Sequence, residues 1–170
     1  MKKILILLIT LFFYNQPLKA DTFFLDFKYI LNESDAGKKA QSNLKKTLEN
    51  GFKKLTDREK KLQEEEKKII QQKKVISAEE YKKKITELRV KVSSLQKDRN
   101  KLLESVSKKR GKAKAELLKN LNPIVKNYMQ EKNIKIVLDK KSILLGDEKL
   151  DITKDIMTSL NSKLKSIKLD

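Results

Sequence analysis

Cysteine and histidine are both absent from the 170 residues. No zinc finger, thiol redox site, cysteine nucleophile, disulfide framework or imidazole acid–base chemistry is therefore available. Glycine occurs four times and proline twice, while 38% of residues are charged. That composition belongs to long helices rather than to a loop-rich globule, and it leaves no glycine loop to cradle a phosphate. Only 6% of residues are aromatic. Acids are also in deficit: 23 Asp and Glu face 41 Lys and Arg, a net charge of +18 that calls for an anionic partner.

The sole long apolar run, Ile4 to Tyr14, follows Lys2 and Lys3 and precedes a polar exit ending in Ala20. This is the layout of a cleavable secretory signal peptide, with the cut expected after Ala20. A run this short does not span a bilayer, which takes roughly 20 residues. Loss of residues 1–20 removes three lysines and no acids, so the exported chain begins at Asp21 with a charge of +15.

The exported chain divides by composition. Residues 22–31 hold Phe23, Phe24, Phe27 and Tyr29 with the bulk of a buried strand that runs into a short helix. Residues 38–122 contain no proline and are dense in Lys, Glu, Gln and Leu, as a long solvated helical region requires. Residues 134–139 and 142–146 return to β-branched and apolar character, giving three expected strands near 22–27, 134–139 and 142–146. Asn122-Pro123 is read as the end of one helix and the start of another, and Thr153 as the cap of a last helix with Ile152 and Met157 as its apolar staple.

Within the helical region Leu48, Leu55, Leu62, Ile69 and Ile76 recur every seven residues, joined by Phe52. The sites between them are Glu59, Glu66 and Lys73, so the seam is narrow and partly wet. A second register steps through Tyr81, Ile85, Leu88, Val92, Leu95, Arg99, Leu102 and Val106. The break between the two is Ser77-Ala78-Glu79-Glu80: Ser77 caps the second helix, Glu80 reaches back to it, and Ile76 and Tyr81 flank the box. Two helices joined so briefly fold back antiparallel. Residues whose numbers add to about 154 then face each other, which sets Arg58 against Asp98 and Glu65 against Lys91. At about 1.5 Å per residue the arm reaches roughly 50 Å.

Lys53, Lys54, Lys60, Lys61, Lys67, Lys68 and Lys74 recur away from the seam and make a basic stripe, extended onto the second helix by Lys82, Arg89 and Lys91. These are the candidate binding residues for an anionic, poorly structured client. Arg is rare among the cations, and lysine attracts without bidentate recognition, so the stripe reads little detail. A solvated face that only keeps the arm soluble is the plainer alternative. Three strands are too few for an independent sheet, so copies of the chain are expected to share strands.

The fold class is therefore α+β and mostly α: a small β-containing body from residues 21–43 and 107–170, and a coiled-coil hairpin arm from residues 44–106 with its tip near 77. The chain resembles the Skp/OmpH family of periplasmic chaperones over its exported length. The resemblance rests on Leu31 to Gln41 after an aromatic strand, the Ser77–Glu80 tip, Asn133 to Asp139, and Asp151-Ile152-Thr153. It implies a homotrimer whose arms enclose a cavity and hold unfolded outer-membrane β-barrel proteins in the periplasm without ATP. It also implies contact with anionic lipid or lipopolysaccharide, to which no residues here are assigned. No cofactor, metal or catalytic residue is expected. A nucleic-acid binder suits the charge but not the export signal or the aromatic-poor arm. A structural or adaptor coiled coil of the envelope is the alternative, although the chain lacks docking domains. A carboxylate enzyme would need acids paired in a cleft rather than spread along helix faces.

Overall fold

A computed structural model describes residues 22–169. The expected signal peptide lies outside the described residues. Strand β1 (Thr22–Leu25) leads into the short helix α1 (Phe27–Glu33) and the long helix α2 (Asp35–Gln72). The chain turns through residues 73–77 and returns along α3 (Ala78–Glu131) to β2 (Ile136–Asp139) and the closing helix α4 (Thr153–Lys163). The protein is mostly helical, with one two-stranded sheet.

The two strands pair in parallel, Thr22 opposite Ile136 through Leu25 opposite Asp139. Parallel neighbours need a crossover connection, and here the whole hairpin serves as one. Asp26 opens α1 by accepting from the Tyr29 amide at 2.7 Å. Ser34 is fully buried and extended, and its hydroxyl accepts from the Gly37 amide at 3.2 Å, so one residue both ends α1 and caps α2. Glycine is required three residues on, because a Cβ at position 37 would lie 2.1 Å from the Leu31 carbonyl oxygen.

Two separate apolar clusters form. The base buries Leu25, Ile30, Leu121, Ile152, Ile156 and Leu160. The arm's own cluster is Leu55, Leu62, Ile69, Leu88 and Leu95. Full burial of such a side chain stabilises by about 1.5–3 kcal/mol, and the arm spreads five of them along a long hairpin.

Three local expectations differ from the structure. The helix does not stop at Asn122: α3 runs through Pro123 without a break. Proline leaves the carbonyl four residues earlier without its partner, but Pro123 and Lys119 are both exposed, so water can serve that oxygen. Leu121 and Ile124, buried on the opposite side, hold the helix on course. α3 ends instead at Glu131, and just beyond it the positive φ of 55° at Asn133 lets the Ile134 amide reach the Met129 carbonyl at 2.8 Å. The expected third strand at 142–146 is absent. Asp139 accepts from the Lys141 amide and starts a 3₁₀ turn over Lys140–Ser142, after which Leu144 and Leu145 are 95% and 90% exposed with no strand beside them. Thr153 does not cap α4 but begins it. Its amide donates to Asp151 Oδ1 at 2.9 Å, and its hydroxyl oxygen accepts from the Asp26 amide at 2.8 Å, tying α4 to the end of β1.

Candidate functional site

The surface that sequence reasoning singles out is the arm, and α2 and α3 set its geometry. Leu55, Leu62 and Ile69 of α2 are buried against Leu88 and Leu95 of α3, with Tyr81, Ile85 and Leu102 partly buried beside them. Leu48 and Ile76 are half-buried, and Val106 is buried nearer the base. Phe52 and Val92, assigned to the same seam, remain 36% and 50% exposed. At Gly51 the seam is tight, since a Cβ there would meet the Leu102 methyls at 2.5 Å.

Charges confirm how the helices face each other. Arg58 meets Asp98 at 2.6 Å and also donates to the Ser94 hydroxyl at 3.2 Å. Lys91 meets Glu65 at 2.6 Å and Lys84 donates to Gln72 at 3.0 Å. Arg99 reaches Glu59 at 3.5 Å, and its Nε is buried without a partner. Each contact falls within a turn of the pairing that the heptads predict. All are part-exposed, where an ion pair contributes about 0–1 kcal/mol, so they fix register more than stability.

At the tip the Ser77 hydroxyl accepts from the Glu80 amide at 3.1 Å. The Glu80 carboxylate does not complete a reciprocal box but lies 3.6 Å from Lys84 Nζ. Val75 is 82% exposed beside this cap, and the Lys73 ammonium sits 5.7 Å above the Tyr81 ring.

Of the ten candidate binding cations, Lys53, Lys54, Lys60, Lys61, Lys67, Lys68, Lys74, Lys82 and Arg89 are exposed along the arm. Lys91 is set apart by its pairing with Glu65. The cations therefore form an extended basic face rather than one pocket. Where the arm joins the base, an open groove of about 890 Å³ runs between the start of α2 and α3, floored by Leu31, Leu44, Leu48 and Leu117. Among the described residues no group of three acidic side chains could hold a metal ion, and no helix is long and apolar enough to cross a membrane.

Sequence reasoning missed the polar clasp of the base. Lys140 meets Asp151 at 2.6 Å, and Asp151 also accepts from the Thr153 amide and hydroxyl. Burial alone would raise the Asp151 carboxyl, but hydrogen bonds from Lys140 and Thr153 outweigh it and hold the group below its ordinary value. The same contact raises Lys140. Tyr128 of α3 donates to Asp155 of α4 at 2.5 Å, and this bond, then burial and the Asp155 charge, push its hydroxyl up to about 12. The Asp151-Ile152-Thr153 run is visible in the sequence, but the partners of Ile152 and Thr153 include Phe24 and Asp26, in and just after β1 and more than a hundred residues away.

Fold and surface together define a class: a basic, two-helix arm raised on a small α/β base, with acids such as Asp98 and Glu65 engaged in ion pairs across the arm. Residues 22–160 match the OmpH family, described as outer membrane protein (OmpH-like), and the chain belongs to that family. It is not a family of enzymes. Among solved structures, a candidate outer membrane chaperone (OmpH-like) from Caulobacter crescentus CB15 superposes with a TM-score of 0.84 at 20% identity, over 91% of this chain and 92% of the other. At that identity the likeness speaks for the fold. No sequence match is found among curated proteins.

Proposed function

We propose that the protein is a periplasmic, ATP-independent holding chaperone that captures unfolded outer-membrane β-barrel proteins between its arms. Residues 44–106 form the arm, and residues 21–43 with 107–170 form the base through which copies associate. The observation that carries this reading is the arm itself. It has a small apolar cluster of five buried side chains, an exposed basic face and half-exposed apolar residues, a surface suited to many weak contacts and to no single tight one.

An unfolded barrel strand is alternately apolar and prone to pair edge to edge with its neighbours. A holder must keep it apart from them while letting it go. Lysines do both, laying methylenes on apolar surface while the ammonium stays wet. Release needs no energy source when the client binds more strongly at its destination.

Self-association is supported by the base. Ile136 and Leu138 on β2 are 51% and 42% exposed, Leu144 and Leu145 stand nearly free, and among the described residues no strand pairs with the outer edge of β2. Shared strands between three copies would cover these groups and gather three arms around one cavity.

Dilution of a urea-unfolded outer-membrane protein into buffer with the purified exported chain tests the function. Light scattering is expected to stay low at about three chains per client, a ratio set by the trimer reading, and to rise as salt screens the lysines. Scattering as high with the protein as without it, at low salt, contradicts the reading.

A further inference from the structure

The arm has two unlike edges. In α2 the buried row is Leu55, Leu62 and Ile69, and one helical turn beyond each lies Arg58, Glu65 and Gln72. These three meet Asp98, Lys91 and Lys84 of α3 at 2.6, 2.6 and 3.0 Å. That edge is closed, and its long side chains roof the buried row.

The opposite edge begins with Phe52, Glu59 and Glu66 on α2 and Ile85, Val92 and Arg99 on α3, the alternate seam positions. Just outside them stand Thr56, Gln63 and Ile70 on α2 and Lys82, Arg89, Gln96 and Leu103 on α3. Among the described residues one ion pair spans it, the 3.5 Å contact of Arg99 with Glu59 that leaves Arg99 Nε unpartnered. Phe52, Ile70, Val92 and Leu103, which are 36%, 55%, 50% and 48% exposed, all lie on this side. It is an open edge on which exposed apolar side chains alternate with polar and charged ones, Lys82 and Arg89 among them.

Its borders differ in charge from those of the closed edge. The next row outward on α2 is Lys53, Lys60, Lys67 and Lys74, and on α3 it is the uncharged set Thr86, Ser93 and Asn100. No acid stands in either border row between 53 and 74 or between 86 and 100. The closed edge is bordered by Lys54, Lys61 and Lys68 on α2 but by Glu87, Ser94 and Lys101 on α3.

We propose that the open edge is the surface along which the client lies, and that the two lysine rows are unequal. The occupant is an extended, unfolded polypeptide segment with alternating apolar side chains and a surplus of carboxylates. Phe52, Ile70, Val92 and Leu103 take the apolar side chains, and Lys53, Lys60, Lys67 and Lys74 take the carboxylates. The Lys54, Lys61 and Lys68 row keeps the arm soluble. This assignment rests on the capture function proposed above and adds which face performs it.

Two charge-matched variants of the full exported chain separate the rows. Lys53→Glu/Lys60→Glu/Lys67→Glu and Lys54→Glu/Lys61→Glu/Lys68→Glu change the net charge equally, so general attraction changes equally. Affinity for a urea-unfolded outer-membrane β-barrel protein is read beside helicity and oligomer mass. The first variant is expected to bind more than about tenfold more weakly, and the second to change by less than about threefold. Equal losses, or the greater loss in the second, overturn the assignment while leaving the chaperone function intact. If the unaltered chain holds no client, both fall together. Where a variant loses helicity, the cysteine-free chain provides a second route. A photo-crosslinker on Gln63→Cys or Gln96→Cys is expected to capture client, and one on Gln71→Cys, on the outer face of α2, is not. Equal yields at the three sites overturn the assignment.

Discussion

At Gly37 one methyl group decides whether α1 and α2 can meet. The added Cβ would press on the Leu31 carbonyl, which is backbone and cannot swing away. Gly37→Ala is therefore expected to cost about 1–3 kcal/mol, as overpacking does, measured by urea unfolding; an unchanged midpoint contradicts the close approach. The clasp around Asp151 has a pH signature. Its folded carboxyl titrates below the ordinary 3.8, so the clasp stabilises the base above about pH 4 and is lost as pH falls through the depressed folded value. Tyr128 runs the other way. Raised from 10.0 to about 12, it stabilises fully below pH 10 and ceases to do so as pH rises through about 12. Asp151→Asn should flatten the acid limb of the stability profile, and Tyr128→Phe the alkaline limb. An acid limb that is unmoved in Asp151→Asn contradicts the assignment.

Among the elements, arm and base should not share one stability. Leu62→Ala empties a layer of a five-residue seam and is expected to cost about 2 kcal/mol, the lower end for such truncations because the arm can collapse around the gap. Ile156→Ala, in a fully buried site of the base, should cost more. Hydrogen exchange in Leu62→Ala should quicken in α2 and α3 between residues 44 and 106 while α4 stays protected; uniform quickening would mean one cooperative unit. Much of the arm is legible in the sequence, because heptad spacing and a fold at Ser77 suffice to place Arg58 on Asp98 and Glu65 on Lys91. The Pro123 helix is not, since local rules see the missing amide and not the burial of Leu121 and Ile124 on the continuing helix. Residues 142–146 have the composition of a strand, but a strand also needs a neighbour, and the described residues supply none. The candidate surface is half legible: the lysine period is plain, but the difference between the two edges depends on which seam positions are buried. Phe52 and Val92 are seam residues by spacing and half-exposed in fact.

For the molecule as a whole, the proposed function asks for more than a single copy. On that proposal the thin arm serves an unfolded client, and the uncovered Leu144 and Leu145 meet sister chains. Replacing Leu144 and Leu145 with Ser should shift a sedimentation profile toward monomers while helicity is retained; an unchanged profile would remove that loop from the contact between copies. The measurement that reaches the heart of the account is the native mass of the exported protein mixed with an unfolded outer-membrane protein. The account predicts a particle of three chains around one client. A chain that stays single, with the client passing through unaccompanied, would contradict it.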